Sequence, residues 1–390
     1  MLEHDVKLLE RDALIEELRA AITAHLYTLG IKYLERDEEA PALTKDAIRE
    51  MHALQKKEFV DRERAVLAPR LDHLIQHFAN GQEVNPERVD PELVPVRTKH
   101  ETGLLFRLAT LLWSVPVSRG YGRRMRFLVR DRFNGKLMGI FALGDPVFNL
   151  KARDAWIGWT TADRKARLAN VMDGYVVGAV PPYSQLLGGK LVCSLIGSAE
   201  VTEFFSAKYA GRRGIISKEV KPNKLALVTV TSALGRSSIY NRLRLPGLVE
   251  LHRVGTTRGW GHFHIPDHIF VAMRHLLELE GHKYAKGYDY GKGPNWRMRV
   301  VRAALIRLGM DGDLLRHGIT REVYAMPLAD NWRDYLLGKN AKCVLNRPPL
   351  SQIAAACRER WIVPRARRRP EYRYWTREDT LRLFNCIRGT

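Results

Sequence analysis

Arginines and aromatic rings alternate through residues 358–377, a run with eight arginines against two glutamates and with Trp361, Tyr372, Tyr374 and Trp375 between them. Guanidinium groups fork phosphate oxygens in pairs, and aromatic faces stack on unpaired bases, so the combination suits a nucleic-acid surface. Its candidate contacts are Arg365, Arg367, Arg368, Arg369 and Trp375. A second basic cluster, within residues 283–307, offers Lys292, Arg297 and Arg299 around Trp296, and residues 235–242 add Arg236 and Arg242. A membrane surface would select an amphipathic helix, which a proline-interrupted run does not make. The expected partner is therefore nucleic acid, with DNA the first choice.

Other residues could do covalent chemistry. His262 and His264 alternate on an expected strand and share a face, with Asp267 following. Two imidazoles and a carboxylate suit a metal ion for phosphodiester hydrolysis, and equally suit phosphate contacts or buried hydrogen-bonded histidines. The spacing is loose, so no metal ligand is assigned. Asp154, between Arg153 and Trp156, is either a general base or an arginine-paired carboxylate. Residues 316–324 place His317 and Arg321 four apart, which does not fit a tyrosine recombinase. No convincing D…E-x-K nuclease string appears, and the lack of a G-x-x-x-x-G-K-S/T loop excludes a P-loop NTPase. Cys193, Cys343, Cys357 and Cys386 have no C-x-x-C spacing and read as reduced thiols.

The charge pattern supports a polyanion partner. The 390 residues carry a net charge of +21, yet residues 1–100 hold 15 basic and 20 acidic side chains, leaving 49 and 23 for the rest. An acidic head joins a strongly basic body. Apolar runs are too short to span a bilayer, and the acidic first residues lack a signal-peptide pattern, so a cytoplasmic protein is expected.

These residues need elements to position them. Leu14, Leu18, Ile22 and Leu26 mark one helical stripe, and Thr44 is a good N-cap for another. Asn80-Gly81 followed by Pro86, Pro91 and Pro95 reads as a linker. Residues 125–130 and 136–143 are short strands around Asn134-Gly135, a strong hairpin signal. A helix over 161–172, a strand over 175–180 and a glycine-bearing turn into a second helix follow. Residues 225–230 form a strand expected to lead into a helix, and strands over 248–254 and 260–265 make a further hairpin.

This element order resembles the GNAT-type N-acetyltransferase fold. In that fold the strand-to-helix loop wraps the pyrophosphate of acyl-coenzyme A with backbone N–H groups at a helix N-terminus. The resemblance implies that Gln185, Leu187, Gly188, Gly189 and Lys190 hold that cofactor, although the spacing departs from the usual Q/R-x-x-G-x-G/A pattern. It also places Tyr240 as the acid for a departing thiolate; Asp154 and His264, read from the residues themselves, are the other catalytic candidates. A packing tyrosine accounts for Tyr240 equally well.

Longer strings are more specific. Arg123-Arg-Met-Arg-Phe-Leu-Val-Arg-Asp131, Arg153-Asp-Ala-Trp-Ile-Gly-Trp159, Leu186-Leu-Gly-Gly-Lys-Leu191, Gly235-Arg-Ser-Ser-Ile-Tyr-Asn-Arg242 and Gly291-Lys-Gly-Pro-Asn-Trp296 resemble the DruA family of the Druantia anti-phage defence system. That resemblance implies bacterial antiviral defence beside other Druantia subunits, including a very large helicase-like protein. The expected fold is α+β: an acidic helical region over 1–94, a GNAT-like mixed sheet flanked by helices over 95–270, and a basic, mainly helical region over 271–390. Two functions remain open, a nucleic-acid-modifying acyltransferase and a noncatalytic DNA-binding subunit, with a metal-dependent nuclease as the third. Assembly as a monomer or a homo-oligomer is also open.

Overall fold

The computed structural model describes residues 2–28, 44–117, 122–214, 218–258, 264–286, 296–315 and 319–384. The chain is α+β and divides into two units, Met1–Gln55 with Arg258–Thr320 and Lys56–Thr257 with Arg321–Thr390. In the first unit the helix Leu2–Thr28 buries Leu18, Ile22 and Leu26 with the helices Asp267–Leu279 and Trp296–Arg307. The leucine stripe thus finds its core with residues some 250 positions further on, and Arg19 Nε donates to Leu308 O at 2.7 Å. Thr44 caps Lys45–Met51 by accepting from the Ala47 N–H.

The second unit holds a seven-stranded sheet. Its strands are β1 (Pro91–Pro95), β2 (Arg124–Asp131), β3 (Lys136–Gly144), β4 (Val171–Ala179) and β5 (Leu227–Thr231), then β8 (His252–Arg258) and β9 (Thr320–Pro327). A separate short ribbon pairs β6 (Arg244–Leu245) with β7 (Val249–Glu250). The sheet order is β1-β2-β3-β4-β5-β9-β8. Strands β1 to β4 are antiparallel neighbours, β4 and β5 run parallel, and β5 and β9 are antiparallel. Parallel pairing begins at Val171↔Leu227 and ends at Gly174↔Val230, while β4 runs on to Ala179.

Local chemistry builds the β2–β3 hairpin as expected. Asp131 O accepts from Gly135 N, Asp131 Oδ1 accepts from Phe133 N, and Gly135 takes φ +72°, a conformation open to glycine. Three expectations need correction. The hairpin expected from residues 248–254 and 260–265 is replaced by the ribbon of β6 with Val249–Glu250 and by a single strand, His252–Arg258, that runs through the expected turn. Residues 91–95, read as linker, form the edge strand β1, where prolines at both ends withhold no needed ladder donor. The stretch after β5 forms turns and a 3-10 segment, Tyr240–Arg242, instead of a helix.

Helices cover both sheet faces. One face packs Met172, Val228, Val230, Tyr324 and Met326 under the helices Gly188–Ser194, Ala199–Tyr209 and Leu350–Cys357. Part of the other packs Val171, Leu227 and Ala325 with Ile157, Trp159 and Leu336. The C-terminal segment closes the first face: Tyr372 is buried, and its carbonyl lies where a Cβ on Gly81 would stand, 1.9 Å away. Arg377 ties the same junction, donating to Phe78 O and pairing with Glu83. Gly81→Ala should therefore destabilise the fold by at least about 3 kcal/mol, the upper end for overpacking. A shift of the urea midpoint measures it, and an unchanged midpoint would show that residues 372–373 can move aside.

Candidate nucleic-acid interface

Three cations lie near enough to act on one another at the start of the helix Gly188–Ser194. Lys190 comes from that helix, Arg242 from the 3-10 turn after β5, and Arg360 from the π-helical segment Arg358–Ile362. Trp361 and Ile362 of that segment are buried while Arg360 is exposed, as is Arg242. The Lys190 ammonium lies 5.0 Å from the Trp361 ring centroid, a cation–π contact. Burial first, then the charges of Arg242 and Arg360, hold Lys190 below its ordinary pKa. Among the described residues none of the three has an ion-pair partner. Like charges left together without a counterion favour an anion, and a phosphate would relieve their repulsion.

The arginine run continues this surface. Arg365 Nε donates to Gln185 O at 3.1 Å, so it anchors the segment to the loop. Arg367, Arg368 and Arg369 are exposed; Arg367 reaches Glu87 only at 3.4 Å, and Arg369 reaches Glu371 only at 3.8 Å. Such exposed pairs are weak and leave the charges available. The aromatic residues behave otherwise. Trp361 and Tyr372 belong to the core, and the Trp375 indole N–H donates to Thr380 Oγ1 at 2.8 Å. Tyr374, 80% exposed, is the ring of this run that is free to stack on a base.

Other predicted contacts are scattered. Arg236 is exposed and reaches the Asn241 amide at 2.8 Å. In the first unit, Trp296 donates to Tyr284 O and packs edge-on to Phe270, Arg297 pairs with Asp267, and Arg299 is exposed. Lys292 and His262 lie outside the described residues.

The expected cofactor loop is filled by the chain itself. Leu187 adopts φ +61°, a Cβ on Gly188 would stand 2.6 Å from Tyr183 O, and one on Gly189 would meet Ile239 at 2.9 Å. The glycines are thus required for packing. With Gln185 O and Lys190 also engaged by residues 361–365, the loop does not fit an open pyrophosphate cradle.

The candidate acid and bases are not brought together. Tyr240 packs edge-on to Tyr324 at 5.6 Å on the face that carries Gly188–Ser194, and burial pushes its hydroxyl pKa up. Asp154 belongs to the helix Lys151–Ile157 and is taken by two arginines: Oδ1 accepts from fully buried Arg153, Oδ2 from Arg164 at 2.7 Å. His264 belongs to the first unit, where its carbonyl faces His25 Nε2 at 2.6 Å.

A residue outside the sequence reading stands out instead. Asp173 is paired with Thr229 across β4 and β5, alternates with Met172 and so lies on the face opposite Tyr240, and accepts the Thr229 hydroxyl. Burial pushes its carboxyl up to about 6, with Arg153 opposing. A carboxylate within an apolar strand was its only sequence signal, and reading the strand from Tyr175 onward hid it.

These features define an α+β protein with a mixed seven-stranded sheet and a basic face at one end of its parallel strand pair. The profile of the family described as Druantia protein DruA matches residues 42–338. A curated protein of Escherichia coli (strain UMEA 4076-1), named Druantia protein DruA, is 46% identical over 373 residues, covering 95% of this chain and 92% of that protein. The chain belongs to the DruA family. No solved structure matches it, and among the described residues no helix is long and apolar enough to cross a membrane.

Asp173 yields a pH test. Between about pH 4, the ordinary carboxylate value, and its raised value near 6, the folded chain keeps a proton that the unfolded chain has released. Its contribution to stability therefore falls as pH rises through that window. Asp173→Asn should remove this component, so that variant minus wild-type stability grows with pH and levels off above the window. Urea midpoints across the range check it; a difference independent of pH would place the Asp173 carboxyl at an ordinary value.

Proposed function

We propose that this DruA-family protein serves Druantia anti-phage defence as a nucleic-acid-binding subunit, DNA first, that works alongside other Druantia proteins including a helicase-like one. The observation that carries the reading is the gathering of Lys190, Arg242 and Arg360 without ion-pair partners among the described residues, beside exposed Arg367, Arg368 and Arg369. Phosphate oxygens are the groups such a surface binds, and the released counterions supply much of the affinity. Tyr374 adds a stacking face for an unpaired base.

In this reading a GNAT-like sheet is the scaffold. Its support is the strand order and the parallel β4–β5 pair that ends at Gly174 and Val230. The loop that would hold a coenzyme pyrophosphate instead seats the C-terminal segment through Gln185, Lys190, Trp361 and Arg365. The scaffold serves binding, and no acyl-transfer step is assigned to Tyr240 or Asp154.

Two measurements test this. Fluorescence anisotropy with labelled single- and double-stranded DNA, and with RNA, across a salt series should give a steep salt slope. The triple variant Lys190→Gln, Arg242→Gln, Arg360→Gln should bind about tenfold or more weakly and lose up to roughly 2–3 units of that slope, as should Arg367→Gln, Arg368→Gln, Arg369→Gln. Unchanged affinity and slope in both variants would overturn the reading. Acetyl-coenzyme A in equilibrium dialysis should not bind; saturable binding would return the loop to coenzyme chemistry.

A further inference from the structure

The second unit carries a cluster that nucleic-acid binding does not use. His73 lies in the helix Leu71–Leu74 and His77 ends the 3-10 turn Ile75–His77 that continues it. Residues four apart on a helix share one face, and here that face is outward, because Leu71, Leu74, Ile75 and Phe78 are buried beneath. Glu101, the first residue of the helix Glu101–Thr110, meets both rings: His73 Nε2 hydrogen-bonds Glu101 Oε1, and His77 Nε2 lies 3.3 Å from the same oxygen. The rings stand edge to face at 5.8 Å, and the three ligand atoms all lie within 4.8 Å of one another.

Two neutral imidazoles and one carboxylate are the donors that zinc and its first-row neighbours select; magnesium and calcium prefer all-oxygen sets. Around a tetrahedral zinc ion, with bonds of about 2.0–2.2 Å, ligand atoms stand roughly 3.3 Å apart. The His77–Glu101 separation already has that value, and His73, whose side chain is 71% exposed, needs only torsional adjustment to join. The described thiols do not compete, since burial pushes Cys193, Cys357 and Cys343 upward in pKa and holds them as weak ligands.

We propose that His73, His77 and Glu101 form a mononuclear site for a zinc-type divalent transition-metal ion. The ion replaces the protons that the two imidazoles share with Glu101. It ties residues 71–77 to the start of the helix Glu101–Thr110 and leaves a fourth position open to water. The site uses none of the earlier candidates His262, His264 and Asp267 and no residue of the basic face.

The test uses the full-length, tag-free chain, stripped with a chelator and titrated with zinc chloride by calorimetry, with thermal melts run in parallel. One ion per chain and a metal-dependent rise in Tm are expected. His73→Ala with His77→Ala should abolish both, and Glu101→Gln, which keeps the side-chain shape, should weaken binding by about tenfold or more. His252→Ala, at a half-buried histidine elsewhere on the sheet, should leave both unchanged. Matching metal-free melts of variants and wild type establish that the fold is intact. Absence of saturable binding in the wild type, or equal binding by wild type and the double histidine variant, would overturn the assignment.

Discussion

Tyr372 is buried with its backbone pressed against Gly81, and a few residues later Arg377 pairs with Glu83 while donating to the Phe78 carbonyl. A guanidinium that is largely withdrawn from water must keep its partners, because an orphaned charge there costs far more than the pair contributes. The clamp fixes the C-terminal segment on the sheet. The C-terminal part of the basic face depends on it, since Trp361 reaches Lys190 and Arg365 reaches Gln185 from this docked segment.

Once the segment is docked, its residues divide by physics. Trp361, Ile362 and Tyr372 turn inward while Tyr374 stays outside, and Trp361 serves at once as core and as the ring beneath the Lys190 ammonium. Arg360, Arg367, Arg368 and Arg369 are left outside because their charge is costly to bury. The resulting surface holds three cations from three elements with no counterion among the described residues, an arrangement unfavourable to the isolated chain. Such repulsion is tolerated where a polyanion compensates it.

The opposite side of the sheet solves a different problem. Arg153 is fully buried, and its guanidinium is satisfied by Asp154 and by the carbonyls of Val147 and Phe148, with Arg164 completing the carboxylate's shell. Asp173 sits within reach of this network at the paired end of β4 and β5. The family-like string Arg153-Asp-Ala-Trp-Ile-Gly-Trp159 thus has a structural task. Its arginine anchors a loop, and its last tryptophan donates to the Leu336 carbonyl. Asp154 is an arginine partner before it is anything else.

Much of the local structure was legible in residue order. Asn134-Gly135 specified the β2–β3 hairpin because glycine alone accepts the turn's positive φ without strain, and Thr44 specified its helix start because its hydroxyl satisfies an unpaired N–H. The pair His73 and His77 carries an i, i+4 spacing that the sequence reading passed over, and nothing local points to Glu101. Residues 91–95 and β9 were not legible, since an edge strand between prolines and a strand paired with one 92 to 100 positions earlier depend on their partners. Composition and charge by themselves determined that this is a basic chain with an acidic head, because those quantities are sums over residues. Which arginines remain free, which aromatics are core, that the glycines at 188 and 189 admit the chain's own backbone and side chains, and that Asp173 shares no face with Tyr240 were decided only by the tertiary structure. Each depends on groups distant in sequence competing for the same space and the same charge.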